Sequence, residues 1–104
     1  MAVNCNSLDQ VRGHIDALDR QIVGLLAERG AYVSQAARFK KDSDAVRAPQ
    51  RVEQVINKVR HLADELGANP EVAEAVYRAM IAGFIQQELA EHSTLEKTPT
   101  GDNS

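Results

Sequence analysis

A single apolar stripe of unusual length limits what this chain can become. Leu8, Val11, Ile15, Leu18, Ile22, Leu25, Tyr32, Ala36 and Phe39 recur at alternating steps of three and four, with one slot skipped at Arg29. That spacing lines one face of an α-helix, whereas a strand repeats every second residue. It predicts a first helix reaching about Lys40, opened by the capping-box order Ser7, Leu8, Asp9, Gln10, with Ser7 as N-cap and Gln10 reaching back. Some 33 to 35 residues at 1.5 Å each make a rod of about 50 Å. A compact globule of this size has a radius of gyration of only about 13 Å. Shorter helices from the same chain cannot cover the whole seam, but the same seam on a second copy can. The length of the stripe therefore predicts a dimer.

The rest of the chain also reads as helix. Pro49 suits a first turn, and Val52, Val55, Ile56, Val59, Leu62 and Leu66 form the stripe of a second helix that Gly67 ends. Asn69 and Pro70 open a third, whose face carries Val72, Val76, Met80, Phe84 and Glu88 at steps of four. No strand, repeat or linker is visible. The expectation is an all-α fold with three helices per chain, a helical domain over residues 1–92 and a disordered tail over 93–104, where the pattern lapses.

Composition removes several classes of function. With a net charge of −3 over 104 residues, the chain lacks a broad surface for nucleic acid or anionic membrane. Only four aromatics are present, with no Trp, so no single-strand stacking platform is available. No apolar run nears the roughly 20 residues that span a bilayer. The opening Met-Ala-Val-Asn-Cys-Asn-Ser has neither the basic nor the apolar region of a signal peptide. Cys5 is the sole cysteine, which rules out an internal disulfide and suits a reducing cytoplasm. His14, His61 and His92 are never at metal-ligand spacing, and no glycine-rich phosphate loop or activated nucleophile occurs. The expectation is a soluble cytoplasmic protein needing no metal or cofactor.

What remains is a set of cations. On an unbroken first helix, Arg29 and Lys40 stand eleven residues apart, three turns on one face and about 16 Å along the axis. Two long side chains leaning together leave room for a small dianion. Arg12 lies about 25 Å further back, so it reaches such a ligand only from the neighbouring chain of an antiparallel dimer. Arg51, opening the second helix, can close the fourth side. Arg12 and Lys40 can equally be flanking residues whose aliphatic stems cover apolar surface. Arg29 is harder to dismiss, since neighbouring turns fill its slot with apolar or small residues and a buried guanidinium is costly unless paired. Glu88 poses the same question with opposite sign. It is a wet residue at a fraying end, a partner for Arg29 or Lys40, or a carboxyl working on an apolar face. Gly83 beside Phe84 weakens the helix by about 1 kcal/mol relative to Ala, in exchange for a tight helix contact or a close approach by something else.

These residues resemble a known family, the all-helical chorismate mutases, over roughly residues 7–92. The resemblance rests on LDQVRGHIDALDRQIVGLLAER in the first helix, ARFK at its end and VRAPQRV before the second. It implies an intertwined homodimer of three-helix chains, with two sites that each borrow an arginine from the partner. By resemblance Arg12 is the borrowed arginine, Arg29 and Arg51 bind a substrate carboxylate and neighbouring groups, and Lys40 bridges a carboxylate and the ether oxygen whose bond breaks. Glu88 stands where many members carry Gln as second partner of that oxygen. Phe84, one turn earlier, joins the substrate-binding set. Lys40, Glu88 and Arg29 form the expected catalytic group.

One departure bears on the substrate. The usual bacterial mutase follows the second-helix arginine with Glu, which accepts a bond from the ring hydroxyl; here Val52 stands instead. That Glu is also missing from the isochorismate pyruvate-lyases of salicylate biosynthesis, which YVSQAARFK and APQRV resemble more closely. Those lyases, however, usually keep Gln where this chain has Glu88. The resemblance implies conversion of chorismate to prephenate, or alternatively of isochorismate to salicylate and pyruvate. A third reading, a non-catalytic helical dimer that binds a metabolite or protein, leaves Arg29, Lys40 and Arg51 without a purpose.

Overall fold

The computed structural model describes the main chain of residues 2–101 and the side chains of residues 2–93. Among the described residues there are helices and no strands. The order is α1 (Leu8–Ala37), α2 (Ser43–Arg47), α3 (Pro49–Leu66) and α4 (Pro70–Gly101). The chain divides into two compact units, residues 1–32 and residues 33–104.

The first unit is most of α1 with its lead-in. Ser7 caps the helix as expected, its Oγ accepting from the Gln10 amide at 3.1 Å. The Gln10 side chain accepts from the amide of Asn6 at 2.8 Å, one residue earlier than a standard box. Nothing within this unit covers the long stripe: Leu8, Ile15, Leu18 and Ile22 are exposed, and Leu25 is 63% exposed.

Among the described residues of the second unit, Ala37, Val46, Ile56, Val59 and Ala63 are the buried apolar side chains. Ile56, Val59 and Ala63 lie at steps of three and four on α3 and form its buried face. Leu62 and Leu66 belong to the expected stripe but stay exposed. Both turn signals act as read. Gly67 takes a left-handed conformation at φ 77°, with Ala68 N–H bonding the Ala63 carbonyl at 2.8 Å. Asn69 Oδ1 accepts from the amides of Glu71 and Val72 at 2.9 and 3.4 Å, which starts α4.

Two differences from the sequence expectation stand out. First, α1 stops at Ala37 and its end winds into tighter turns, with Arg38, Phe39 and Lys40 amides bonding the carbonyls of Gln35, Ala36 and Ala37. The step from Ala36 to Phe39 is three residues, a spacing shared by α and 3₁₀ winding, so the apolar period cannot register the change. Phe39 continues the period but is 85% exposed. Second, the connection holds a one-turn helix, α2, which the polar composition concealed. Asp42 caps it, accepting from the Ala45 amide at 2.9 Å, and Val46 anchors it in the core. Ala48 then joins α2 to α3 in a left-handed conformation, φ 35°, unusual for a residue with a Cβ. The α4 main chain is helical from Pro70 to Gly101. Of the expected tail, residues 102–104 lie outside the described residues.

An ionic ladder runs along the outside of α3 and α4. Arg78 makes a two-pronged bond to Glu53, at 2.9 and 3.0 Å, and reaches Glu74 at 2.7 Å. Arg60 bonds Glu74 at 2.7 Å and Glu71 at 3.3 Å. Hydrogen bonds from the arginines hold the Glu53 and Glu74 carboxyls below the ordinary carboxylate range, chiefly through Arg78 in both cases.

Candidate active site

Lys40 sits in the turn between α1 and α2, not on a helix. The three-turn register with Arg29 is therefore corrected: helical arithmetic from Arg29 ends at Ala37. What places Lys40 is α4. Its Nζ lies 2.6 Å from Glu88 Oε2, with the lysine side chain 27% exposed and that of Glu88 7% exposed. The wet-glutamate reading is thereby removed, and pairing with Lys40 is the alternative that holds. Glu88 is buried because it continues the α4 face of Met80 and Phe84, one helical step of four further on.

A second contact comes from the next step of the same face. His92, 6% exposed, places Nε2 2.7 Å from the main-chain carbonyl oxygen of Lys40. A carbonyl only accepts, so Nε2 must carry the proton. Beside this pair, Ser34 in the last turns of α1 donates to the Glu91 carboxylate, at 2.9 Å to Oε2, and accepts from Gln87 Nε2 at 3.3 Å. Glu88 and His92 thus face the turn while Gln87 and Glu91 hold the end of the helix that precedes it.

The other expected site residues fall as follows. Arg12 and Arg29 belong to the first unit, with Arg12 exposed and Arg29 half-buried. Arg51 is exposed in the first turn of α3, with Val52 half-buried next to it. Phe84 is half-buried one turn before Glu88. Among the described residues nothing lies within 4 Å of where a side chain on Gly83 would begin, so they do not make the tight helix contact expected there. The structure thus brings Lys40 and Glu88 into direct contact. It also adds His92, which is not among the site residues expected from the sequence. The signal was available, since His92 lies four residues after Glu88 and shares its helix face.

Chemically, the pair is a partly buried cation aimed by a carboxylate. Such a group stabilises negative charge developing on an ether or carbonyl oxygen better than the same ammonium in water, because little reorganisation is needed. Among the described residues, no group of three or more His, Cys, Asp and Glu is placed to hold a metal ion. None of their helices is long and apolar enough to cross a membrane.

Comparison with known proteins agrees with this chemistry. The pattern of the chorismate mutase type II family matches residues 11–89, a span that includes Arg12, Arg29, Lys40, Arg51 and Glu88. An isochorismate pyruvate lyase of Pseudomonas aeruginosa is 31% identical over 86 residues, covering 83% of this chain and 85% of that protein.

Proposed function

Because this chain belongs to the chorismate mutase type II family, we propose that it catalyses the pericyclic rearrangement of chorismate to prephenate, with Lys40 as the central catalytic cation. The observation that carries this reading is the Lys40–Glu88 pair inside the family-matched span. The reaction occurs within one bound molecule and needs no protein nucleophile. The protein must hold a flexible dianion compactly and stabilise charge growing on the ether oxygen. Lys40 supplies the charge. Glu88 orients Lys40 as a carboxylate, and bonds the ether oxygen only in its protonated form, since an ionised carboxylate is acceptor-only. Arg29 and Arg51 take the substrate carboxylates, while Val52 and Phe84 shape the ring pocket.

The working form is an intertwined homodimer in which Arg12 serves the neighbouring site. The exposed α1 stripe supports it. At about 1.5 Å per residue, the 30 residues of α1 offer a seam that an identical helix can cover. A cytoplasmic location fits the lone Cys5.

A second reading, isochorismate pyruvate-lyase activity, is favoured by two specific features. Val52 replaces the expected acceptor for the ring hydroxyl of chorismate, and the curated relative bears the lyase name. The two reactions differ in substrate and pose while using the same cation, and the lyase would feed salicylate synthesis. A paired assay of purified protein with chorismate and isochorismate, products followed by NMR, tests both. Prephenate from chorismate supports the first reading, and salicylate with pyruvate from isochorismate the second. Absence of turnover with either would overturn the enzymatic proposal.

A further inference from the structure

His92 is buried, titratable and unused by the chemistry above, yet it touches the residue on which that chemistry depends. Lys40 lies beyond the last helical residue of α1, which holds its main chain through one long turn bond, from the Lys40 amide to the Ala37 carbonyl at 3.4 Å. Two residues one step of four apart on α4 also meet it, Glu88 at the ammonium, 2.6 Å, and His92 at the carbonyl oxygen, 2.7 Å. A side chain held only at its tip can still swing with its backbone. One held at both ends cannot.

We propose that His92 is a positioning residue, whose Nε2–H holds the Lys40 carbonyl so that Glu88 and the substrate meet the ammonium in one fixed place. The proposal deepens the reading of Lys40 as the catalytic cation and rests on it for its consequences for turnover. The geometry of the grip does not depend on that reading. A hydrophobic residue would fill the same buried place equally well if packing alone were required. A polar ring with its Nε2 on a main-chain oxygen is instead what a locked turn requires, and the contact is part-buried, where a carbonyl left without a donor is costly.

Three variants separate positioning from packing. His92→Gln carries an amide nitrogen at about the reach of Nε2 and donates without titrating. His92→Asn stays polar but is too short for that contact, and His92→Leu keeps apolar volume with no donor. The first readout is the amide order of residues 39–41 by ¹⁵N relaxation, measured without substrate. Asn and Leu should loosen these amides selectively while those of α3 and α4 keep native values, and Gln should hold them near native. The second readout is kinetic. Misplacing a preorganised group by a fraction of its length costs tenfold or more, so Asn and Leu should lower kcat about tenfold, with KM changing less, and Gln should recover most of the loss.

Native order at residues 39–41 in both Asn and Leu variants would overturn the proposal, as would a Gln variant no better than Leu. If Leu does not fold, the contrast between Gln and Asn decides in the same way. Selective loosening of the turn in a protein that converts neither substrate would leave His92's positioning intact and refute the functional reading instead.

Discussion

Lys40 stands in a turn, so its ammonium is placed by its partners and not by helical register. Replacing it with Ala should reduce turnover by two to three orders of magnitude with the fold retained, since loss of one preorganised donor raises the barrier by about 3 to 4 kcal/mol. Lys41 is exposed, one residue further along the turn. Its Ala variant should retain near-native activity, and equal losses at both positions would show that net charge matters more than the contact with Glu88. Glu88 admits a sharper test. Glu88→Gln keeps a side chain of the same length that can donate to the ether oxygen and should preserve activity at neutral pH, whereas Glu88→Ala should lower it. Equal losses in the Gln and Ala variants would mean that Glu88 acts only as the carboxylate that aims Lys40.

Among the elements, α3 and α4 are joined by a small buried face and by the exposed ladder of Glu53, Arg78, Glu74 and Arg60. The carboxyls of Glu53 and Glu74 titrate lower in the folded chain than in the unfolded one. A depressed folded value means that the unfolded chain binds protons more readily. The stabilisation is therefore fully present above the ordinary carboxylate value of about 4.3 and is lost as pH falls through the lower folded values. Thermal midpoints measured between neutral and strongly acidic pH should fall over that window, and Arg78→Met should shrink the fall. Because these groups are exposed, the effect is modest and weakens with salt. An unchanged acid limb in Arg78→Met would assign acid sensitivity to other groups.

Much of this element plan is legible in the chain, for identifiable reasons. Ser7, Gly67 and Asn69 act through local hydrogen bonds and backbone conformation, which depend on neighbours in sequence. The end of α1 is not legible, because Phe39 keeps a three-residue spacing common to both kinds of winding. Nor is α2, one turn being too short to show a period; its evidence is the Asp42 cap and the single buried Val46. At the candidate site, Lys40 and Glu88 were singled out by type and position. Their contact, and His92's hold on the Lys40 carbonyl, arise from tertiary placement of α4 against the turn and have no local signature.

For the whole molecule, the deciding feature is the α1 stripe, apolar along its length and exposed in the single chain. In the proposed active unit, a dimer, Arg12 of one chain completes the site built around Lys40 of the other. Mixing Arg12→Ala chains with Lys40→Ala chains, after dissociation and reassembly, tests this most directly. Each variant alone should be nearly inactive. In a statistical mixture half the dimers are mixed, and each holds one intact site beside one doubly damaged site, so about a quarter of native activity should return. Demonstrably mixed dimers with no recovered activity would contradict the shared site, and a folded protein that stays monomeric at micromolar concentration would contradict the dimer itself.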